Sequence, residues 1–350
     1  MFSTYRAEDV EILLKDITGM VEPLDTRARE IRIQSGTHYC EMLPVEYEPS
    51  DKYMRIYGQA LDMYSQITAD AVASVAEQIW REKGPSAALV SLARAGTSIG
   101  VLIRRYLRRK YGQDVKHYTI SIIRGRGIDH NAMRHILMRH QPRDIQFVDG
   151  WVGKGAIQTE LNAAMRDYPG VSAGLAVLSD PAGLAEKTGT RDDFLIASSC
   201  LNSIVSGLLS RTFLRADIIG ETDFHGAAFY QELMARDRTY EFIDKIESCF
   251  RFDQAAEAAP AASAPDGLQE VAAIAREFGI RDVNLVKPGI GETTRVLLRR
   301  MPWKVLVHSL NDPEHLAHIY QLAREKGAEL VEYPLQCYKA CGLIQTMADQ

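Results

Sequence analysis

Residues 144–160 read DIQFVDGWVGKGAIQTE, and this stretch decides the fold. A short apolar run, Ile145 to Val148, ends in Asp149 and passes through Gly150, Gly153 and Gly155 into a helical pattern that starts at Ala156 and Ile157. Strand, glycine-rich turn and helix follow one another as in a βα unit of a parallel sheet. Backbone amides at a helix N-terminus point outward unsatisfied, so such a turn is a ready anion cradle, to which Lys154 adds a point charge. It is not an ATPase loop: the Walker pattern requires four residues between Gly and Gly-Lys-Ser/Thr, and here Gly150 and Gly153 are misplaced and Ala156 follows Gly155.

Working outward, the same alternation recurs. A strand at Ala87–Leu92 runs through the loop ARAGTS into a helix at Ile99–Lys110, with Thr97 read as its N-cap. A strand at Tyr118–Ile123, a basic loop and helix from Arg124 to His140, a helix at Ile157–Asp167, and strands at Gly174–Leu178 and Phe194–Ala197 continue it. Helices at Leu201–Thr212 and Gly226–Ala235 are expected to close the domain, and a long helix, Tyr57–Glu82, precedes it. The fold class is therefore α/β with a mainly parallel sheet, residues 56–252, preceded by an N-terminal cap region, 1–55, that is read as lying outside the sheet. The Ala/Pro/Ser-rich stretch 253–267, DQAAEAAPAASAPDG, reads as a linker to a smaller C-terminal domain, 268–350.

Composition is that of an ordinary globular chain of 350 residues. The five scattered cysteines show no C-x-x-C pair, which argues against a disulfide framework or zinc site and for a cytoplasmic location. No apolar run approaches the roughly 20 residues of a membrane helix, so no membrane partner is expected. The net charge of −5 conceals twelve Lys and Arg against two acids between Arg94 and Arg143, a surplus of ten that favours a phosphate-bearing partner. The alternative is that Arg104, Arg105, Arg108, Arg109 and Lys110 form the solvated face of one helix.

Ligands of open α/β sheets sit at the carboxyl ends of strands, so the loops after Leu92, Ile123, Val148 and Leu178 should converge on one crevice. The amides of Ala95, Gly96, Thr97 and Ser98 offer a second anion site that Arg94 would grip bidentately, and Arg124 and Arg126 lie on a glycine-flanked loop suited to covering a charged ligand. Asp180, Asn202, Ser206, Arg211 and His225 are polar groups placed to read an acceptor.

Two anion loops with a strand-end acid resemble the type I phosphoribosyltransferases. That resemblance implies a pyrophosphate loop at Arg94, Ala95, Gly96 and Thr97, and a phosphoribosyl loop at Asp149, Gly150, Gly153, Lys154, Gly155 and Ala156. It also implies Arg124 and Arg126 as catalytic clamps with Arg94 and Asp149, and a magnesium ion organised by Asp149. The family usually has two adjacent acids and Thr-Gly-x-Thr; this chain has Asp149-Gly150 and Lys154-Gly155-Ala156-Ile157. The strings HYCEMLPVEY, VDGWVGKGAI, LNSIVSGLLSRT and DFHGAAFY further resemble the StiP-type proteins of bacterial tellurite-resistance and stress gene clusters, a phosphoribosyltransferase-like domain fused to a Pelota-type RNA-binding domain. The implied function is a magnesium-dependent transferase acting on phosphoribosyl pyrophosphate and a base-like acceptor. The alternative is a non-catalytic, nucleotide-sensing RNA-binding protein, and whether like chains associate is left open.

The same family is also described as a cysteine protease. A thiolate needs a neighbouring imidazole; Cys200 with His225 is the attractive pair, whereas His38 and Cys40 are two residues apart and too local to be informative. In the C-terminal domain, KPGIGETTR resembles the Gly-x-Asn-Glu turn with which Pelota and kink-turn-binding ribosomal proteins grip RNA. Lys287, Gly291, Glu292, Arg295 and Lys339 are its implied RNA contacts, with Gly291 replacing the Asn. Ten basic and ten acidic residues between Leu268 and Gln350 give no domain-wide electrostatic footprint.

Overall fold

A computed structural model describes residues 2–253 and 266–344. In chain order the first part contains β1 (Glu11–Ile12), β2 (Lys15–Asp16), α1 (Thr26–Gln34), α2 (Asp51–Lys83), β3 (Ala88–Leu92), α3 (Ala95–Tyr111), β4 (Lys116–Ile120), β5 (Ile122–Ile123), β6 (Gly127–Ile128), α4 (His130–Leu137), β7 (Ile145–Val148), α5 (Ala156–Ala164), β8 (Leu175–Ser179), β9 (Lys187–Thr190), β10 (Gly226–Ala227) and α6 (Thr239–Ser248). The main sheet has six strands in the order β1-β4-β3-β7-β8-β9, every pair parallel. The α/β class and its parallel sheet are as the βα alternation predicts.

Strand side chains alternate between two buried faces, the pattern a sheet covered on both sides requires. Leu89, Val148, Ala176 and Leu178 join the cluster under α2 and α3, while Val90, Phe147, Leu175 and Val177 join that under α4 and α5. The helix α3 lies very close to the sheet at Gly100. The imidazole of His117 sits beneath it, with Nε2 2.8 Å from Ser91 Oγ and Nδ1 2.8 Å from the carbonyl of Asp9, and burial lowers its pKa to about 4, so the ring is neutral.

Four expectations are corrected. The N-terminal region is not outside the sheet, because β1 pairs with β4. The sixth strand is β9, not Phe194–Ala197, whose apolar residues pack in the core as a loop and a 3-10 turn. No α-helix forms over 201–212: Gly207 and Leu208 both take positive φ, +69° and +56°. Residues 226–235 likewise form β10 and a short 3-10 helix. The basic helix reads as its structural alternative: Arg104 pairs with Asp114, Arg105 with Asp9 and Glu247, and Lys110 with Glu77.

The C-terminal domain comprises α7 (Gly267–Glu277), β11 (Val286–Pro288), α8 (Ile290–Arg299), β12 (Pro302–Val307), α9 (Pro313–Lys326), β13 (Glu329–Glu332) and β14 (Ala340–Ile344), its sheet ordered β11-β14-β12-β13. Most of the stretch read as a linker, residues 254–265, lies outside the described residues. Among the described residues no helix is long and apolar enough to cross a membrane.

A methyl at Gly100 would collide with His117 and Ser91. Gly100→Ala is expected to cost about 2–3 kcal/mol, read as a lower urea midpoint; an unchanged midpoint would refute the close approach.

Candidate functional site

The loops leaving the parallel strands do converge, but they meet protein before they meet solvent. The first turn of α3 packs against the end of β7: a Cβ on Gly96 would collide with the carbonyl of Val148 and stand 3.1 Å from the Cα of Asp149. Thr97 is not the N-cap of α3. It lies inside the helix, fully buried, its Oγ1 2.8 Å from Thr119 Oγ1; Arg94 occupies the capping position and Ala95 is exposed.

The glycine loop is covered by the C-terminal domain. Lys154 Nζ donates to the carbonyls of Val283 and Val286 at 2.6 and 3.1 Å, and Tyr338 Oη donates to the carbonyl of Gly153 at 2.6 Å. Gly155 takes φ +74° and leads into Ala156, the first residue of α5. Asp149 is a single carboxylate whose Oδ1 accepts the amide of Gly150 at 2.8 Å. Burial raises its pKa to about 7, opposed by that amide and by Arg295. Among the described residues no cluster of three or more metal-ligating side chains occurs, and one carboxyl that holds its proton near neutrality does not fit a magnesium ion.

The acceptor-reading residues are dispersed. Asp180 is fully buried, accepts the amides of Leu184 and Ala185 at 3.1 and 2.7 Å, and pairs with Arg191. Ser206 Oγ donates to the carbonyl of Asn202 at 2.7 Å, closing a local turn. His225 donates its amide to Asp129, and its Nδ1 stands 2.9 Å from Ser121 Oγ. Cys200 is fully buried in the core that holds Tyr57 and Tyr64.

The predicted RNA-binding turn is engaged as well. Asp193, in the loop after β9, accepts the amide of Ile290 at 3.0 Å and that of Lys339 at 2.9 Å. Asp192 pairs with Lys339 Nζ at 3.0 Å. Gly291 lies between Ser199 and Trp151, and Glu292 pairs with Arg295 one helical turn on. Lys287 is partly buried, its pKa lowered by burial and by Arg300, Arg124 and Arg295 against the pull of Glu292.

What the fold does bring together is a thiol and an imidazole. A 3-10 turn at Tyr39–Glu41 starts after His38, whose backbone is extended (φ −70°, ψ 143°). The ring folds back over this turn, and His38 Nδ1 stands 3.0 Å from Cys40 Sγ. Leu214 brackets the turn, its amide donating to the carbonyl of Cys40 at 2.9 Å and its carbonyl standing 3.6 Å from Sγ. The Arg124–Arg126 loop lies across the other side: the amide of Arg124 donates to Tyr39 Oη at 3.0 Å, and Arg126 pairs with Glu41 at 2.8 Å. Arg124 also reaches Asn284 of the C-terminal domain at 2.9 Å. Burial pushes the Cys40 thiol up, Arg126 pulls it down and Glu41 raises it. The pair is spaced by two in HYC, and the turn folds its thiol and imidazole into contact.

A parallel α/β domain that carries a thiol against an imidazole, with a small α/β domain docked on it, is the class of protein the structure defines. The family described as tellurite-like stress resistance cysteine protease StiP matches residues 3–247, and the PELOTA RNA binding domain matches residues 265–346. A relative named cysteine protease StiP, from Acinetobacter baylyi (strain ATCC 33305 / BD413 / ADP1), is 34% identical, covering 98% of this chain and 94% of its own. The chain belongs to the StiP family. Two solved structures of a hypoxanthine-guanine phosphoribosyltransferase from Bacillus anthracis align over 36% of this chain and 76% of theirs, at 16% and 15% identity with TM-scores of 0.28 and 0.27, too low to carry an argument. The expectation of a transferase using phosphoribosyl pyrophosphate is thus corrected: family and relative are named as cysteine proteases, and the implied sugar-phosphate loop has Lys154 spent on carbonyls.

Asp149 gives a pH test. Its proton is held more tightly in the folded chain than in the unfolded one, so the stability linked to it is fully present below the ordinary Asp range and lost as pH rises through about 7. Asp149→Asn should flatten the decline in melting temperature between about pH 5 and about pH 8; parallel profiles in the two chains would refute the assignment.

Proposed function

We propose that this chain is a cysteine protease whose nucleophile is Cys40 and whose general base is His38. The observation that carries the reading is the 3.0 Å contact between Cys40 Sγ and His38 Nδ1, supported by the names of the family and the relative. With Nδ1 unprotonated the imidazole accepts the thiol proton, the thiolate attacks a peptide carbonyl carbon, and the imidazolium returns the proton to the departing amine. Water then hydrolyses the thioester. Arg126 favours the thiolate, while burial opposes it. Because Cys40 is fully buried, the Arg124–Arg126 loop has to lift for a peptide to reach Sγ. Gly125 and Gly127, at φ +75° and +79°, give that loop a backbone only glycine adopts without strain. All five cysteines are free thiols.

Hydrolysis of a fluorescent casein by the full chain tests this. Cys40→Ala and His38→Ala are each expected to reduce turnover by about a hundredfold or more, with Cys200→Ala within a few fold of the parent. Alkylation of Cys40 by iodoacetamide should climb with pH beyond the range of an ordinary thiol, since burial raises its pKa. Full activity in Cys40→Ala, or loss confined to Cys200→Ala, would overturn the assignment.

For the C-terminal domain the reading is RNA binding, supported by the matching domain's name and by the convergence of Lys287, Arg295, Arg300 and Arg124. Lys287→Gln with Arg295→Gln should weaken binding of a hairpin RNA roughly tenfold and flatten its salt dependence by about two counterions, measured by fluorescence anisotropy. A parent chain that binds no RNA at low salt would sink the reading.

A further inference from the structure

Two acids of the first domain engage the start of α8, and they do so in the way an anion would. Helices α7 and α9 of the C-terminal domain are capped from within that domain, by Asp266 and Asp312, whose side chains accept amides of the first turn. The helix between them, α8, follows Gly289, which has no side chain to offer. Its cap comes from the other domain. Asp193 accepts the amide of Ile290 with both carboxylate oxygens, at 3.0 and 3.1 Å, and also the amide of Lys339 at 2.9 Å. Its neighbour Asp192 meets Lys339 Nζ at 3.0 Å.

Amides at a helix N-terminus, joined by a further amide and an ammonium, are the donor set with which proteins hold phosphate. In the docked arrangement adjacent carboxylates on one loop of the first domain take up that whole set. The seam around them is incompletely filled. Ser199 Oγ, buried against Gly291, has no hydrogen-bond partner among the described residues, and a small cavity lies between Trp151, Ser199, Gly291 and Glu292. A hydroxyl left unsatisfied penalises the docked arrangement and not an open one in which water reaches it. Such a contact is suited to reversal.

We propose that Asp192 and Asp193 stand in for an RNA phosphate: they occupy the start of α8 and Lys339, so that docking on the first domain and binding RNA are alternative uses of one turn. Because this regulates the RNA site proposed above for the C-terminal domain, it rests on that reading. An RNA that reaches the start of α8 displaces the two acids, and the C-terminal domain leaves the glycine loop. Linkage makes the effect reciprocal, so whatever weakens docking tightens RNA binding.

The test is fluorescence anisotropy of a hairpin RNA titrated with the full chain at one fixed salt concentration. With the turn free in about one molecule in ten, apparent affinity is reduced by that fraction, and Asp192→Asn with Asp193→Asn should tighten binding roughly tenfold. Glu8→Gln with Asp167→Asn, at exposed acids of the first domain, removes the same charge elsewhere and should stay within about twofold of the parent. Asp192→Asn alone, at a half-exposed side chain, leaves the buried acid in place and should tighten binding about threefold, which keeps the test open if the double variant misfolds. In the parent, RNA should also speed deuterium uptake over residues 150–155, the first-domain loop that the C-terminal domain covers. Equal affinity in parent and acid variants, a gain matched by the control pair, or RNA binding with unchanged uptake over 150–155 would each overturn the proposal and leave the RNA reading standing. RNA bound by neither parent nor variant overturns both.

Discussion

One buried carboxylate, Asp193, holds the two parts of the molecule in the arrangement on which everything at the carboxyl edge of the sheet depends. It accepts amides from two separate elements of the C-terminal domain, Ile290 at the start of α8 and Lys339 ahead of β14. Both donors would otherwise be unsatisfied in a buried interface, the first because helix N-termini always leave such amides. Burial raises the Asp193 pKa to about 6 against the pull of these amides and of Lys339. The contact therefore sets the register of the interface more than it adds stability, since desolvating a carboxylate offsets much of what its hydrogen bonds contribute.

From that docking follows the fate of the glycine loop. With β11 and the residues before it brought alongside, Lys154 finds two carbonyls and Tyr338 finds Gly153. A strand-to-helix turn rich in glycine presents unsatisfied amides and a near approach of backbone, but these properties do not say what will satisfy them. A ligand and a second domain meet the same requirement. Asp149, left beneath that interface, is a partly buried carboxyl whose pKa burial raises to about 7.

How much of this was legible varied with the physics of each segment. Ile145–Val148 was read to the residue because a four-residue apolar run bounded by an acid and a glycine has few other fates in an α/β chain. The long helix and the helix after Leu92 were found from their apolar periodicity, with ends displaced by several residues where capping is local. The edge strand β9, KTGT, carries no apolar signature, and Gly189 marks instead a close approach to Ala71 of α2. LNSIVSGLLSRT has the composition of a helix, yet Gly207 packs against Ser3 and Tyr5, where no side chain fits. That contact is between residues two hundred apart, and periodicity cannot register it. At the site, the arginines and Asp149 were visible as residue types, but which of them are paired and which are not is decided by tertiary neighbours.

That distinction is what separates the two halves of the basic block. Arg104, Arg105 and Lys110 carry as much charge as Arg94 and Arg211, but Arg104 meets Asp114 just past α3, Arg105 meets Asp9 and Glu247, and Lys110 meets Glu77 of α2, so their field is cancelled locally. Near the thiol, Arg126 is paired with Glu41, whereas Arg211 lies over the Tyr39 ring with no ion pair among the described residues. A histidine at the cap of a 3-10 turn is an unremarkable piece of local structure, and its ring would reach a side chain two residues on in any such turn. What makes the turn at His38 chemically different is its setting: a thiol rather than a hydroxyl at the second position, Arg126 close enough to favour the thiolate, and Arg211 over the intervening ring. The approach of thiol and imidazole is local to HYC, whereas the Leu214 segment and the Arg124–Arg126 loop that surround it come from far along the chain.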